Sequence, residues 1–273
     1  MKVEVLVSCM NQRDRELVAK SRITTDVLII NQASEEKAEE YFENGRRVRM
    51  LTTRERGLSR SRNMALKYAQ GDICVLCDDD EIFANNYKGK ILKSFEKVRD
   101  ADIIAFDVVN KETRLSRRVQ KIGYLKSLRI SSCQIAFRRE SILKSGLSFD
   151  VYMGAGSGNG CGEENKFLID ALKNGLKVYY VPTQIAKLDG QDSTWFAGFD
   201  QNFFYQRGAA TRYMLGYFPA VLYGIYYILV KRKMYRSSIS VQEAWKELFA
   251  GIQDNAILHQ KTEAEQQGLA VAL

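Results

Sequence analysis

The chain has 273 residues, with 41 Lys+Arg against 33 Asp+Glu and a formal net charge of +8. Hydrophobic residues make up 45% and prolines number only two, so it reads as a globular protein with a full core and no long Pro-rich linker. A single histidine, His259, excludes zinc sites built on two or three histidines. It also leaves a Ser-His-Asp or Cys-His nucleophile system only a residue near the C-terminus.

The first half alternates apolar runs and amphipathic stretches. Strands are predicted at Val3–Ser8, Asp26–Asn31, Val48–Leu51, Asp72–Cys77 and Ala101–Val109. Helices are predicted at Arg13–Ser21, Glu35–Asn44 (closed by Gly45), Ser59–Gln70 (stopped by Gly71) and Tyr87–Arg99. This alternation implies a mostly parallel sheet, which binds ligands beyond the carboxyl ends of its strands. The second half opens with a basic loop or helix at 110–130. A strand at Cys133–Arg138, a Gly-rich loop from Gly154 to Gly162, a helix at Glu163–Asn174 and a strand at Lys177–Val181 follow. From about 196 to 258 the pattern is helical, and Lys261–Leu273 reads as a frayed polar tail.

Charge is unevenly spread. Residues 111–129 hold Lys111, Arg114, Arg117, Arg118, Lys121, Lys126 and Arg129 against Glu112 alone, and 207–236 hold six cations and no acid. The rest of the chain is net acidic. The odd cysteine count (Cys9, Cys74, Cys77, Cys133, Cys161) suggests reduced thiols. Cys74 and Cys77 are three apart on a strand and so face opposite sides, which disfavours a disulfide. The N-terminus lacks the apolar core of a signal peptide.

Three motifs carry chemistry. Asp78-Asp79-Asp80-Glu81 ends an apolar strand; such adjacent acids either take a hard divalent cation or form a solvated turn capping the next helix. Glu163-Glu164 opens a helix after the Gly-rich loop. These acids either complement the helix dipole or supply a general base on a flexible loop, a role for which no histidine is at hand. In the run Gly57-Leu-Ser-Arg-Ser-Arg-Asn63, Arg60 and Arg62 fall in a first helical turn, a poor place for cations unless an anion is near. The bland alternative is a solvated basic face.

In this order and spacing, with the later Ala136-Phe-Arg-Arg and Gly175-Leu-Lys-Val-Tyr-Tyr-Val-Pro, these motifs resemble glycosyltransferase family 2, over roughly residues 1–200. The branch resembled builds bacterial surface polysaccharides. The resemblance implies a GT-A fold, an α/β Rossmann-like mixed sheet flanked by helices, with a C-terminal helical appendage. It implies a catalytic domain at 1–200 (donor half 1–110, acceptor half 111–200), a helical region at 201–260 and a tail at 261–273. Asp80 and Asp78 would ligate Mn²⁺ or Mg²⁺. Ser8, Asn11, Asn31, Arg62, Asp78 and Asp79 would hold a nucleotide-sugar donor, expected to be UDP-linked. Glu164 would be the catalytic base, with Glu163 as the alternative. The chain departs from the family pattern where the second strand ends in Asn31-Gln32-Ala33-Ser34 instead of Asp, and where the base position holds Glu instead of Asp. A histidine that relatives place after the Tyr-Val-Pro strand is missing too, with Asp189 as a candidate substitute and Lys187, Gln191 and Asp192 nearby.

The implied reaction is inverting transfer to a hydroxyl of a saccharide or polyprenyl-linked saccharide, at the cytoplasmic face of the plasma membrane. The uncharged segment Tyr213–Val230 would form a helix about 27 Å long. An interfacial helix on an anionic membrane is the first reading, ahead of a core helix and a span. The rival functions are a nucleotidyltransferase on the same fold and a basic nucleic-acid-binding module. The second is disfavoured because aromatics do not interleave with the basic run.

Overall fold

The computed structural model describes residues 1–13, 16–109, 115–189 and 198–266, with side chains in the last stretch up to 262. The elements in order are β1 (Val3–Met10), α1 (Glu16–Lys20), β2 (Asp26–Gln32), β3 (Lys37–Glu43), β4 (Arg46–Thr53), α2 (Leu58–Tyr68), β5 (Ile73–Asp78), β6 (Glu81–Phe83), α3 (Tyr87–Lys97) and β7 (Ile103–Val109). β8 (Gln120–Lys121), α4 (Tyr124–Ser127), β9 (Ile135–Arg138), α5 (Arg139–Ser145), α6 (Glu163–Lys173) and β10 (Val178–Leu188) follow. The last helices are α7 (Gln201–Leu215), α8 (Tyr217–Val230), α9 (Arg232–Tyr235), α10 (Val241–Asp254) and α11 (Ala256–Gln266).

The strands form one mixed sheet in the order β3-β4-β2-β1-β5-β9-β7-β10-β6, with β8 on β10. β4, β2, β1 and β5 are mutually parallel, and β7 runs parallel to β10. The β1 and β5 runs are apolar on both faces because each face carries its own core layer. Val5, Val7 and Cys77 lie in one layer, and Leu6, Cys74 and Leu76 in the other. Cys74 and Cys77 therefore do face opposite sides, and all five thiols are free. The chain leaves β1 toward β2 on one side and later places β5 on the other. That reversal opens a crevice at the carboxyl ends of β1 and β5, where open α/β sheets take ligands. At the opposite, amino ends of these strands, buried Glu4 accepts from Arg49 at 2.6 Å and from the backbone N–H of Gly71 at 2.8 Å.

Several predicted elements differ. Glu35–Asn44 is not a helix; Lys37–Glu43 is the edge strand β3, paired antiparallel with β4. Glu and Ala favour helix, but Asn44-Gly45 takes positive φ (49° and 76°), the turn that closes a tight hairpin. Cross-strand pairs such as Arg47–Glu40, at 2.7 Å, charge this edge against further pairing. β10 runs well past Val181. Pro182 is tolerated inside it because the pairing with β7 shifts register between Tyr180 and Gln184. Helix α11 continues through Gln266, into the stretch read as a tail. The single helix expected at 213–230 breaks at Gly216, whose φ of 82° ends α7 before α8 begins. No helix among the described residues is long and apolar enough to cross a membrane. Lys111, Glu112 and Arg114 of the first basic zone, and Gln191 and Asp192, lie outside the described residues.

The described residues fall into two compact units, one of 1–149 with 164–189, the other of 150–163 with 198–266. The second unit has its own core, centred on Phe204, Tyr227, Ile228, Tyr235, Leu248 and Ile252. Within it α7 and α10 cross at glycines. A Cβ on Gly208 would stand 2.0 Å from the Leu248 carbonyl oxygen, and one on Gly251 2.0 Å from that of Tyr205. Both obstacles are backbone, so the helices would have to part. Gly251→Ala should destabilise by about 1–3 kcal/mol, seen as a thermal midpoint several degrees lower.

Candidate active site

The crevice is built from strand ends in register. Ser8 at the end of β1 pairs with Asp78 at the end of β5, and Cys9 pairs with Asn31 of β2. Helix α2 closes the crevice with consecutive side chains. Ser61 donates its hydroxyl contact to Ser8 at 2.9 Å, and Arg62 bonds the Asp78 carboxylate at 3.0 Å. Ser132, in the turn before β9, donates to the other Asp78 oxygen at 3.1 Å. Arg62 is 2% exposed and Asp78 30%. The cation that looked misplaced in a first helical turn thus has an anion beside it.

Asp79 and Asp80 form the turn from β5 to β6. The surrounding chain, and secondarily the charges of Asp78 and Asp80, hold the Asp79 carboxyl above its ordinary range. Glu81 is buried and accepts the Asp78 backbone N–H at 3.0 Å. The Asp189 N–H donates to the Asp80 carbonyl at 2.9 Å, which brings Asp189 beside the acidic turn. Among the described residues no set of three or more His, Cys, Asp or Glu is arranged as a metal site. Burial and the charge of Asp79 push the Cys9 thiol up to about 12, and burial raises Cys77 well above its usual value, so neither is an active nucleophile.

Asn31 is 3% exposed. Its amide bonds both the N–H and the carbonyl of Gln12, at 2.9 and 3.0 Å. It thereby braces the loop that leaves β1 at Asn11, itself at φ 52°. Gln32 plays the matching part for α2, accepting from the Gly57 N–H at 2.8 Å.

The acidic turn connects to α6 by a chain of contacts inside the first unit. Asn63 bonds the backbone N–H and carbonyl of Phe149, at 2.7 and 2.9 Å. The Arg62 guanidinium lies 5.5 Å from the Phe149 ring centre, and that ring stacks on Phe167 of α6 at 4.2 Å. Asn165 donates to the carbonyls of Ser127 and Ile130, both at 2.9 Å, and fixes the first turn of α6. That turn carries Glu164, part-buried in this unit. Glu163 belongs to the second unit, is 6% exposed and packs against Gly154, where a Cβ would stand 3.1 Å from its carboxyl carbon. The Gly-rich loop, expected to be flexible, is braced internally. Gly154 N–H donates to the Asn159 carbonyl at 2.9 Å, and Tyr213 of α7 donates to Asp150 at 2.6 Å. Neither Ser132 nor the Asn63 clamp on Phe149 is legible in short-range pattern, since both depend on residues far away in the chain.

A mixed sheet flanked by helices, with acids gathered where β1 and β5 end, defines a GT-A glycosyltransferase fold. The family model for glycosyl transferase family 2 matches residues 4–155. The chain belongs to glycosyl transferase family 2, and a glycosyl-transfer function follows from that membership. Its structure is similar to residues 1–349 of S. aureus TarS in complex with UDP-GlcNAc, with a TM-score of 0.60, 14% identity and coverage of 93% of this chain and 81% of that one. It is also similar to the mannosyltransferase PcManGT from Pyrobaculum calidifontis in complex with GDP-Man and Mn²⁺, with a TM-score of 0.55, 14% identity and coverage of 99% and 80%. No curated protein sequence matches the chain.

The raised Asp79 has a measurable consequence. A carboxyl with a raised folded-state pKa costs stability when ionised; the cost is full above that pKa and absent below the unfolded-state value. Asp79→Asn should therefore raise the thermal midpoint at about pH 7, with the gain fading as pH falls through the carboxylate range.

Proposed function

We propose that this protein is an inverting glycosyltransferase that moves a sugar from a nucleotide-diphosphate donor, expected to be UDP-linked, to an acceptor hydroxyl. The acceptor is a saccharide or a polyprenyl-linked saccharide of bacterial surface-polysaccharide synthesis, reached from the cytoplasmic side of the membrane. Residues 1–200 are assigned to catalysis and 201–260 to the helical appendage. The observation that carries the reading is the run of contacts from Asp78 through Arg62, Phe149 and Phe167 to α6. It joins the acidic turn to the helix carrying Glu164, in a chain of this family.

The donor is assigned to the crevice lined by Ser8, Asn11, Asp78 and Asp79, with Asn31 shaping the loop around it. Asp78 and Asp80, with Asp189 as a candidate third, fit a hard cation such as Mn²⁺ or Mg²⁺. They offer oxygen atoms, and the charges of Asp78 and Asp80, which come second to burial in raising the Asp79 carboxyl, are ones a cation relieves. Such ions commonly complete their shell with water and substrate phosphate, so a full protein cage is not needed. When bound there, the cation supplies positive charge for the leaving diphosphate. Arg62 positions Asp78 and adds positive potential at the same end of the donor.

Glu164 accepts the proton of the acceptor hydroxyl, and the oxygen attacks the anomeric carbon from the face opposite the nucleotide. The bond to the diphosphate breaks as the new glycosidic bond forms, so the configuration inverts. Glu164→Gln keeps the shape and removes the base; turnover should fall at least about 10²-fold while donor binding persists. Unchanged turnover removes Glu164 from the role and moves the test to Glu163. Asp80→Asn should instead weaken donor binding in the presence of Mn²⁺. Thermal shift with a panel of sugar nucleotides reads this and identifies the donor; an equal response in the variant and the parent would overturn the assignment.

A further inference from the structure

The outward face of α8 is apolar and carries no charge, yet none of the described residues of the second unit covers it. Phe218, Leu222 and Leu229 are 79%, 69% and 64% exposed. At 100° per residue they fall within about 40° of one another around the helix. Tyr226 and Val230 flank the stripe on one side, at 45% and 61% exposure. Beyond the end of the helix come Lys231, Arg232, Lys233 and Arg236 with no acid between them, and among the described residues none of the four makes an ion pair. Exposed Met234 lies among them.

The inward face is already engaged. Ala220, Gly224, Tyr227 and Ile228 are buried against the second unit's own core. The Arg207 guanidinium sits 4.9 Å from the Tyr227 ring centre and 5.0 Å from that of Phe203, and it donates to the Tyr223 hydroxyl at 3.4 Å. The break at Gly216 and the packing of α8 turn Tyr223 and Tyr227 inward and leave Phe218, Leu222 and Leu229 outside.

We propose that this face docks on an anionic lipid bilayer, with α8 lying in the plane of the interface, its apolar stripe among the acyl chains and the 231–236 cations on the headgroups. Three features select this occupant. A 14-residue helix is about 21 Å long, short of the roughly 30 Å hydrocarbon core, so it lies on the bilayer instead of crossing it. A one-sided apolar stripe beside a basic cluster is the pattern that binds anionic interfaces. A second copy is disfavoured, because a two-fold contact sets a patch against itself and neither α8 nor the segment through Arg236 holds an acid to meet the four cations.

The test is co-sedimentation of the full chain with phosphatidylcholine vesicles, with and without about a third phosphatidylglycerol, at low and high salt. Binding is expected on the anionic vesicles at low salt, weakening with salt and with removal of the anionic lipid. Phe218→Ser with Leu222→Ser should reduce the partition coefficient at least tenfold. Lys231→Gln with Arg232→Gln and Lys233→Gln should reduce it by about fivefold per cation near the surface. These positions are exposed or partly so, and circular dichroism and the thermal midpoint check that the variants fold. Absence of binding by the parent at low salt overturns the proposal, as does binding that both variants retain. Concentration-dependent dimerisation abolished by the Phe218/Leu222 variant, without vesicle binding, assigns the face to a second copy and overturns it too. The readout is partition and not turnover, so failure here leaves the transferase reading standing.

Discussion

The site depends on where the Arg62 charge is placed. A guanidinium 2% exposed to solvent cannot be left without an anion, and Asp78 supplies one at 3.0 Å. The same group lies against the Phe149 ring, and Asn63 next to it clamps the Phe149 backbone. Two adjacent residues of α2 therefore tie the end of β5 to the segment that leads into the Gly-rich loop. Phe149 stacked on Phe167 carries the connection into α6. Removing the guanidinium would strip Asp78 of its counter-charge and loosen the packing between the acidic turn and the helix bearing Glu164.

That arrangement follows from the sheet. A chain reversal between β1 and β5 leaves a crevice at their carboxyl ends, and a polypeptide that puts acids there must balance them. Asp78 is balanced by Arg62 and Ser132, whereas burial, and after it the charges of Asp78 and Asp80, leaves Asp79 above its ordinary range. The negative charge that Asp78 and Asp80 add at Asp79 is only partly compensated. The surplus is local. The chain as a whole is cationic, and its second basic zone ends on α9, at the far end of the apolar helix.

Much of the fold was legible in short-range pattern. The apolar runs of β1, β2, β5 and β7 and the stop at Gly71 hold within a residue or two. The failures have identifiable causes. Lys37–Glu43 was read by its helix-favouring composition, although the Asn44-Gly45 turn marks a hairpin, and pairing with β4 outweighed propensity. The segment 213–230 reads as one uncharged helix, a pattern that does not register that Gly216 takes a positive φ.

By itself, the sequence determined the class of chemistry: one histidine, acids at a strand end and a second acidic pair opening a helix, in the order of one family. It did so because residue types and their spacing along the chain are local properties. Tertiary structure decided that Arg62 serves Asp78, that Asn31 braces a loop, that Ser132 and Asp189 stand at the acidic turn, and which face of α8 meets solvent. Each of these rests on a contact between residues distant in the chain or on the side from which a helix is packed, and neither is encoded in any one stretch of residues.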